Sequence, residues 1–157
     1  MSEMENKYYI AYGSNLNIRQ MKYRCPTARI VGTAVIKDYE LLYKGSKTGA
    51  YLTIEPKEGS KVPVAVWLVT PADEANLDIY EGFPNFYYKK GFKLKVKTLD
   101  GKSKKLDTFA YIMHEERELG RPIWQYIECC EIGYEYFGFD TKYLDEAYKR
   151  STRGLKK

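Results

Sequence analysis

A single histidine, His114, occurs in the chain, which leaves no histidine-built metal centre to consider. It falls in a polar loop running to Arg121, with no serine or cysteine nucleophile beside it, and reads as a surface side chain. Cysteine is scarce too. Cys25, Cys129 and Cys130 cannot all pair, the adjacent two are poorly placed to bridge each other, and none has the spacing of a metal ligand. They are expected to be reduced, buried, small apolar side chains. No cluster of acids resembles an oxygen cage for a cation, and neither a Walker nor a dinucleotide-binding glycine pattern is present. There is no internal repeat and no low-complexity segment. Long apolar runs are also missing: Val64 to Val69 falls far short of the roughly 20 residues of a membrane-spanning helix, so no membrane partner is expected. Residues Met1 to Lys7 are polar and acidic, unlike a secretory signal, and the cytoplasm is the expected location.

What remains is an ordinary globular composition. The 157 residues are 44% hydrophobic and 30% charged, which predicts a single domain spanning 1–157 with a real core at about 7–138. The net charge of +5 tempts one toward nucleic acid, but from Glu146 onward five basic residues face one acid. About one positive charge is left for the body. A solvated helix end favoured by the macrodipole accounts for Lys149, Arg150, Arg153, Lys156 and Lys157, so no nucleic-acid partner is expected. The lysines between Lys89 and Lys105 read as a solvated hairpin face.

Along the chain, Lys7 to Tyr12 is a short β run that stops at Gly13-Ser14-Asn15, residues suited to a tight turn that exposes backbone N–H groups. Asn17 is placed to cap a short helix through Arg24. One or two strands are predicted in Ala28 to Tyr43, a loop at Gly45 to Gly49, and two separate strands at Ala50 to Glu55 and Val62 to Val69. Thr70-Pro71-Ala72-Asp73 opens a helix with a threonine cap, proline in the first position and an acid closing a capping box. Gly82 then takes the left-handed turn, Pro84 forbids continuation, and Glu81 lies at the helix C-terminus. Phe92, Leu94 and Val96 alternate with lysines as a half-buried strand does, Asp100-Gly101 turns the chain, and Lys105 to Met113 returns. Helices are expected near Ile123 to Phe137 and Lys142 to Ser151. Together these elements predict a mixed α+β domain, in which a small closed barrel would hide the strand edges.

Two stretches carry chemistry: Tyr12-Gly13-Ser14-Asn15-Leu16 after the first strand, and Leu77 to Tyr87 (LDIYEGFPNFY) around the helix end. In order and separation they resemble the YGSNL loop and the LDxxEGxPxxY segment of the γ-glutamylcyclotransferase family. The similarity runs from about Tyr8 to Gly138, with signposts at Arg24-Cys25-Pro26, Gly32-Thr33-Ala34 and Val64 to Trp67. The resemblance implies a small mixed β-barrel with flanking helices, no cofactor and no metal. It also implies a small-molecule γ-glutamyl substrate, an amino acid or amine derivative, cyclised to 5-oxoproline with release of the amine. It places Glu81 at the catalytic position, Gly13 to Leu16 in the binding loop, and Tyr12, Tyr87 and Tyr126 on the pocket wall.

The residues fit that assignment on physical grounds. A substrate α-amine must lose a proton before it attacks its own γ-carbonyl and the departing nitrogen must gain one, so one carboxylate can perform both transfers. Glu81 is at the negative end of a helix beside Tyr80, Phe83, Phe86 and Tyr87, both of which disfavour its ionised form. The backbone N–H groups of Gly13 to Leu16 are suited to either the carbonyl oxygen or the glutamyl carboxylate. Pro122-Ile123-Trp124 departs from the family's pattern, replacing a serine hydroxyl with bulk on one side of the expected pocket. The alternative is a non-catalytic protein that binds a small carboxylate on the same fold. The oligomeric state is left open.

Overall fold

The computed structural model describes residues 5–155. Its frame is a closed five-stranded barrel in the order β1-β3-β2-β4-β5. Strand β1 (Lys7–Ala11) lies antiparallel to β3 (Tyr51–Val69), with Tyr9 opposite Trp67 and Ala11 opposite Ala65. It closes the barrel on its other side by pairing parallel with β5 (Ser103–Met113) at Tyr8↔Thr108 and Tyr9↔Phe109. β2 (Arg29–Lys44) forms a long hairpin with β3, and β4 (Tyr87–Thr98) one with β5. The sheet is therefore mixed, and closure removes its edges.

Two expected strands prove to be one. The strands expected at Ala50 to Glu55 and Val62 to Val69 are continuous, and residues 57–60 merely swell out of a ladder that resumes on the same partner. The register steps from Lys37↔Lys61 to Tyr39↔Pro56, and the Gly59 N–H donates to the Asp38 carboxylate at 2.9 Å. The one or two strands expected in Ala28 to Tyr43 are likewise a single strand, which begins at Arg29.

Among the described residues four α-helices flank the barrel: α1 (Ile18–Arg24), α2 (Pro71–Glu81), α3 (Trp124–Phe137) and α4 (Lys142–Thr152). None is long and apolar enough to cross a membrane. α4 is docked on β2 rather than left in solvent at its basic end: Arg150 pairs with Glu40 at 3.1 Å and donates to the Leu41 carbonyl, while Ser151 accepts from the Tyr43 N–H. The expected solvated cation at Arg150 is thus a structural contact. Inside, Ile10, Ile54, Val64, Val66, Val96 and Ile112 are fully buried and form the barrel core. All three cysteines are free; Cys25 and Cys130 are buried, and Cys129 is half-buried.

Candidate active site

Helix α2 is fixed at both ends, and that fixes where its last residue points. At its start the Thr70 hydroxyl accepts from the Asp73 N–H (3.1 Å) and the Asp73 carboxylate from the Thr70 N–H (3.0 Å), the expected capping box. At its end Gly82 adopts φ 66°, ψ 38°, and the Phe83 N–H returns to the Asp78 carbonyl at 2.9 Å. Fully buried Leu77 pins the middle. Glu81 is thereby presented to one mouth of the barrel.

The loop after β1 arrives at the same place. Ser14–Leu16 form a 3-10 turn, and Leu16 and Asn17 donate to the carbonyls of Gly13 and Ser14, both at 3.0 Å. The first N–H groups of such a turn have no partner within it, which leaves the Gly13, Ser14 and Asn15 amides as its outward donors. Leu16 departs from the expectation. Its N–H is engaged by Gly13 and its side chain is fully buried, so it anchors the loop instead of lining the pocket.

Loop and helix end meet across a cavity of about 190 Å³. Gly13, Ser14, Asn15 and Glu81 line it, together with Tyr12, Tyr87 and Tyr126. The Ser14 hydroxyl stands 3.2 Å from the Tyr80 hydroxyl, one residue before Glu81. Three tyrosine hydroxyls are already engaged by the backbone: Tyr12 donates to the Tyr111 carbonyl (2.6 Å), Tyr87 donates to the Leu52 carbonyl (2.9 Å), and Tyr126 accepts from the Leu52 N–H (3.1 Å). They shape the wall.

Glu81 is half-buried and lines the cavity. Burial pushes its carboxyl from the usual 4.5 up to about 8, against a smaller pull downward by the Arg24 guanidinium. The Tyr9 and Tyr12 hydroxyls are held well above the ordinary phenol range, first by burial and then by the charge of Glu81, so both remain neutral donors or acceptors. The group in this cavity that changes protonation near neutrality is therefore Glu81. Among the described residues no three histidine, cysteine, aspartate or glutamate side chains are grouped to hold a metal ion.

Several lining residues carried no sequence signal. Tyr80 and Phe86, expected beside Glu81, face the cavity, and so do Tyr9, Tyr51 and Tyr111, which nothing local distinguishes among the 16 tyrosines of the chain. Conversely, Ile123 and Trp124, expected to crowd the pocket, are 51% and 66% exposed and lie outside its lining. His114 is half-buried, its Nε2 2.7 Å from the Pro84 carbonyl oxygen.

Comparison with known proteins gives the family and the fold. A profile of the family described as "Gamma-glutamyl cyclotransferase, AIG2-like" matches residues 9–129. The chain is 29% identical over 149 residues to a γ-glutamylcyclotransferase of Homo sapiens, covering 90% of this chain and 77% of the relative. It is 28% identical over 151 residues to one of Mus musculus, with coverages of 92% and 78%. A solved structure named "Gamma-glutamyl cyclotransferase" superposes with a TM-score of 0.77 at 26% identity, over 91% of this chain and 86% of its own.

Proposed function

The chain belongs to the γ-glutamyl cyclotransferase, AIG2-like family, and from that premise we propose that it cyclises the γ-glutamyl group of a γ-glutamyl amino acid or amine to 5-oxoproline. The observation that carries the proposal is the convergence of Glu81 and the Gly13 to Asn15 loop on one cavity.

The reaction is a displacement within one molecule. The carboxylate of Glu81 takes a proton from the substrate's α-ammonium, freeing a lone pair to attack the γ-carbonyl carbon and close a five-membered ring. The carbonyl oxygen gains charge as the ring forms. When the carbonyl is restored, the bond from that carbon to the leaving nitrogen breaks and the Glu81 carboxylic acid protonates the departing amine. In sum, two protons leave the ring nitrogen and two reach the amine, which departs as an ammonium; one carboxyl relays them in turn. No water is consumed.

An acid that titrates near 8 suits this double duty, because neither taking nor returning the proton is strongly uphill near neutral pH. The bound ammonium also favours the ionised form of Glu81 at the moment it is needed. The amides of Gly13, Ser14 and Asn15 are suited to the substrate's carboxylate or to the developing oxyanion. The aromatic walls hold the glutamyl chain folded, which matters most in a ring closure.

The test offers purified protein a panel of γ-glutamyl compounds and measures 5-oxoproline. Wild type is expected to release it from at least one member, and Glu81→Gln to be slower by about 10²–10⁴-fold, the usual contribution of a general acid–base group. Equal rates would reject the role of Glu81.

A further inference from the structure

Arg24, at the end of α1, is outside the cavity lining, yet it touches both halves of the site. Its Nη1 donates to Asn15 Oδ1, and its guanidinium carbon lies 3.4 Å from the centroid of the Tyr80 ring. Each contact leads onward. Asn15 Nδ2 donates to the Tyr9 hydroxyl at 2.8 Å, which fixes which way round the amide stands and leaves the Tyr9 proton free to point into the cavity. Tyr80 meets Ser14 through its hydroxyl and adjoins Glu81 in the chain. We propose that Arg24 is the positioning residue of this site, a planar cation that ties the Asn15 loop to the Glu81 end of α2 and sets their spacing across the cavity. This rests on the catalytic reading above.

A lysine could supply the charge but not the arrangement, since only the flat guanidinium can stack on a ring while its edge donates to an amide oxygen. The charge has a separate effect. The groups facing Glu81 from the packed elements are Tyr9 and Tyr12 from β1 and its loop, Tyr80 on α2, Tyr87 on β4 and Tyr111 on β5, all neutral hydroxyls. Arg24 is the charge that opposes burial there.

The test separates the two effects. The Glu81 carboxyl is titrated by ¹³C NMR in wild type, Arg24→Lys and Arg24→Gln, and kcat and KM are measured across pH with the γ-glutamyl compound that wild type turns over. Arg24→Gln should move the Glu81 midpoint up by about one pH unit, and Arg24→Lys should leave it near the wild-type value. Both variants should raise KM at least about tenfold, with lysine giving no rescue. Should Arg24→Gln fail to fold, Asn15→Ala removes the anchoring amide and is expected to raise KM in the same way. Wild-type KM in Arg24→Lys, or an unmoved midpoint in folded Arg24→Gln, overturns the proposal. A fully active Glu81→Gln would instead refute the catalytic reading and leave the NMR result standing.

Discussion

A carboxyl that titrates near 8 is about nine-tenths protonated at pH 7, so the resting site holds mostly the acid form of Glu81. That has a cost for the fold whose sign is definite. In the unfolded chain the group ionises near 4.5, whereas in the folded one it keeps its proton until about 8. Between those values the native state binds more protons, and stability falls as pH rises. Glutamine imitates the neutral acid and escapes the penalty. Thermal denaturation of wild type and Glu81→Gln should therefore coincide near pH 4.5 and diverge upward, the variant melting about 4–8 °C higher by pH 8, equivalent to about 2 kcal/mol after allowing for water in the cavity. A difference that ignored pH would mean Glu81 ionises normally. Local context in the sequence already pointed this way, because a helix C-terminus and aromatic neighbours both disfavour the anion. It could not single out Tyr9 and Tyr111 as further hydroxyls around that acid, nor Arg24 as its opposing charge.

At the level of elements, α2 was legible from end to end because each of its determinants lies within a few residues of its effect. The capping box and the left-handed glycine are separable experimentally. Thr70→Ala removes an acceptor eleven residues away from Glu81 and should lower stability by about 1 kcal/mol with kcat unchanged. Gly82→Ala acts beside the carboxylate. It places a side chain at φ 66° and brings Cβ to 3.2 Å from the Cβ of Phe86, which lines the cavity. Stability and kcat should both drop, by about 1 kcal/mol and several-fold respectively. Chemical denaturation alongside a turnover assay checks the contrast. β3 reads as two strands in the sequence for the opposite reason: its continuity rests on pairing with β2 on either side of the swelling, which no local residue signals.

Over the whole molecule, barrel closure depends on a narrow seam where β2 meets β4 at Gly32↔Thr98 and Thr33↔Lys97, supported by the Leu99 N–H donating to the Val31 carbonyl at 3.2 Å. A Cβ on Gly32 would come within 2.0 Å of the Lys97 carbonyl oxygen, a clash with backbone that no rotamer relieves. Gly32→Ala should cost about 3 kcal/mol and accelerate amide exchange at Leu99 more than at β1, as hydrogen-exchange NMR would detect. Closure also brings the site together, since the starts of β3 and β4 and the ends of β1 and β5 contribute Leu52, Tyr87, Ile10 and Tyr111 to one cavity. The sequence by itself determined the helix that ends on Glu81, the turn at Gly13 to Asn15 and the mixed α+β class, because caps, turn residues and hydrophobic period act over a handful of neighbours. Only the tertiary structure decided that Leu16 is an anchor, that Trp124 stays outside, that Tyr9, Tyr51 and Tyr111 join the wall, and that Arg24 spans the two motifs. Those depend on register and closure between segments tens of residues apart, a distance at which local chemistry has no influence.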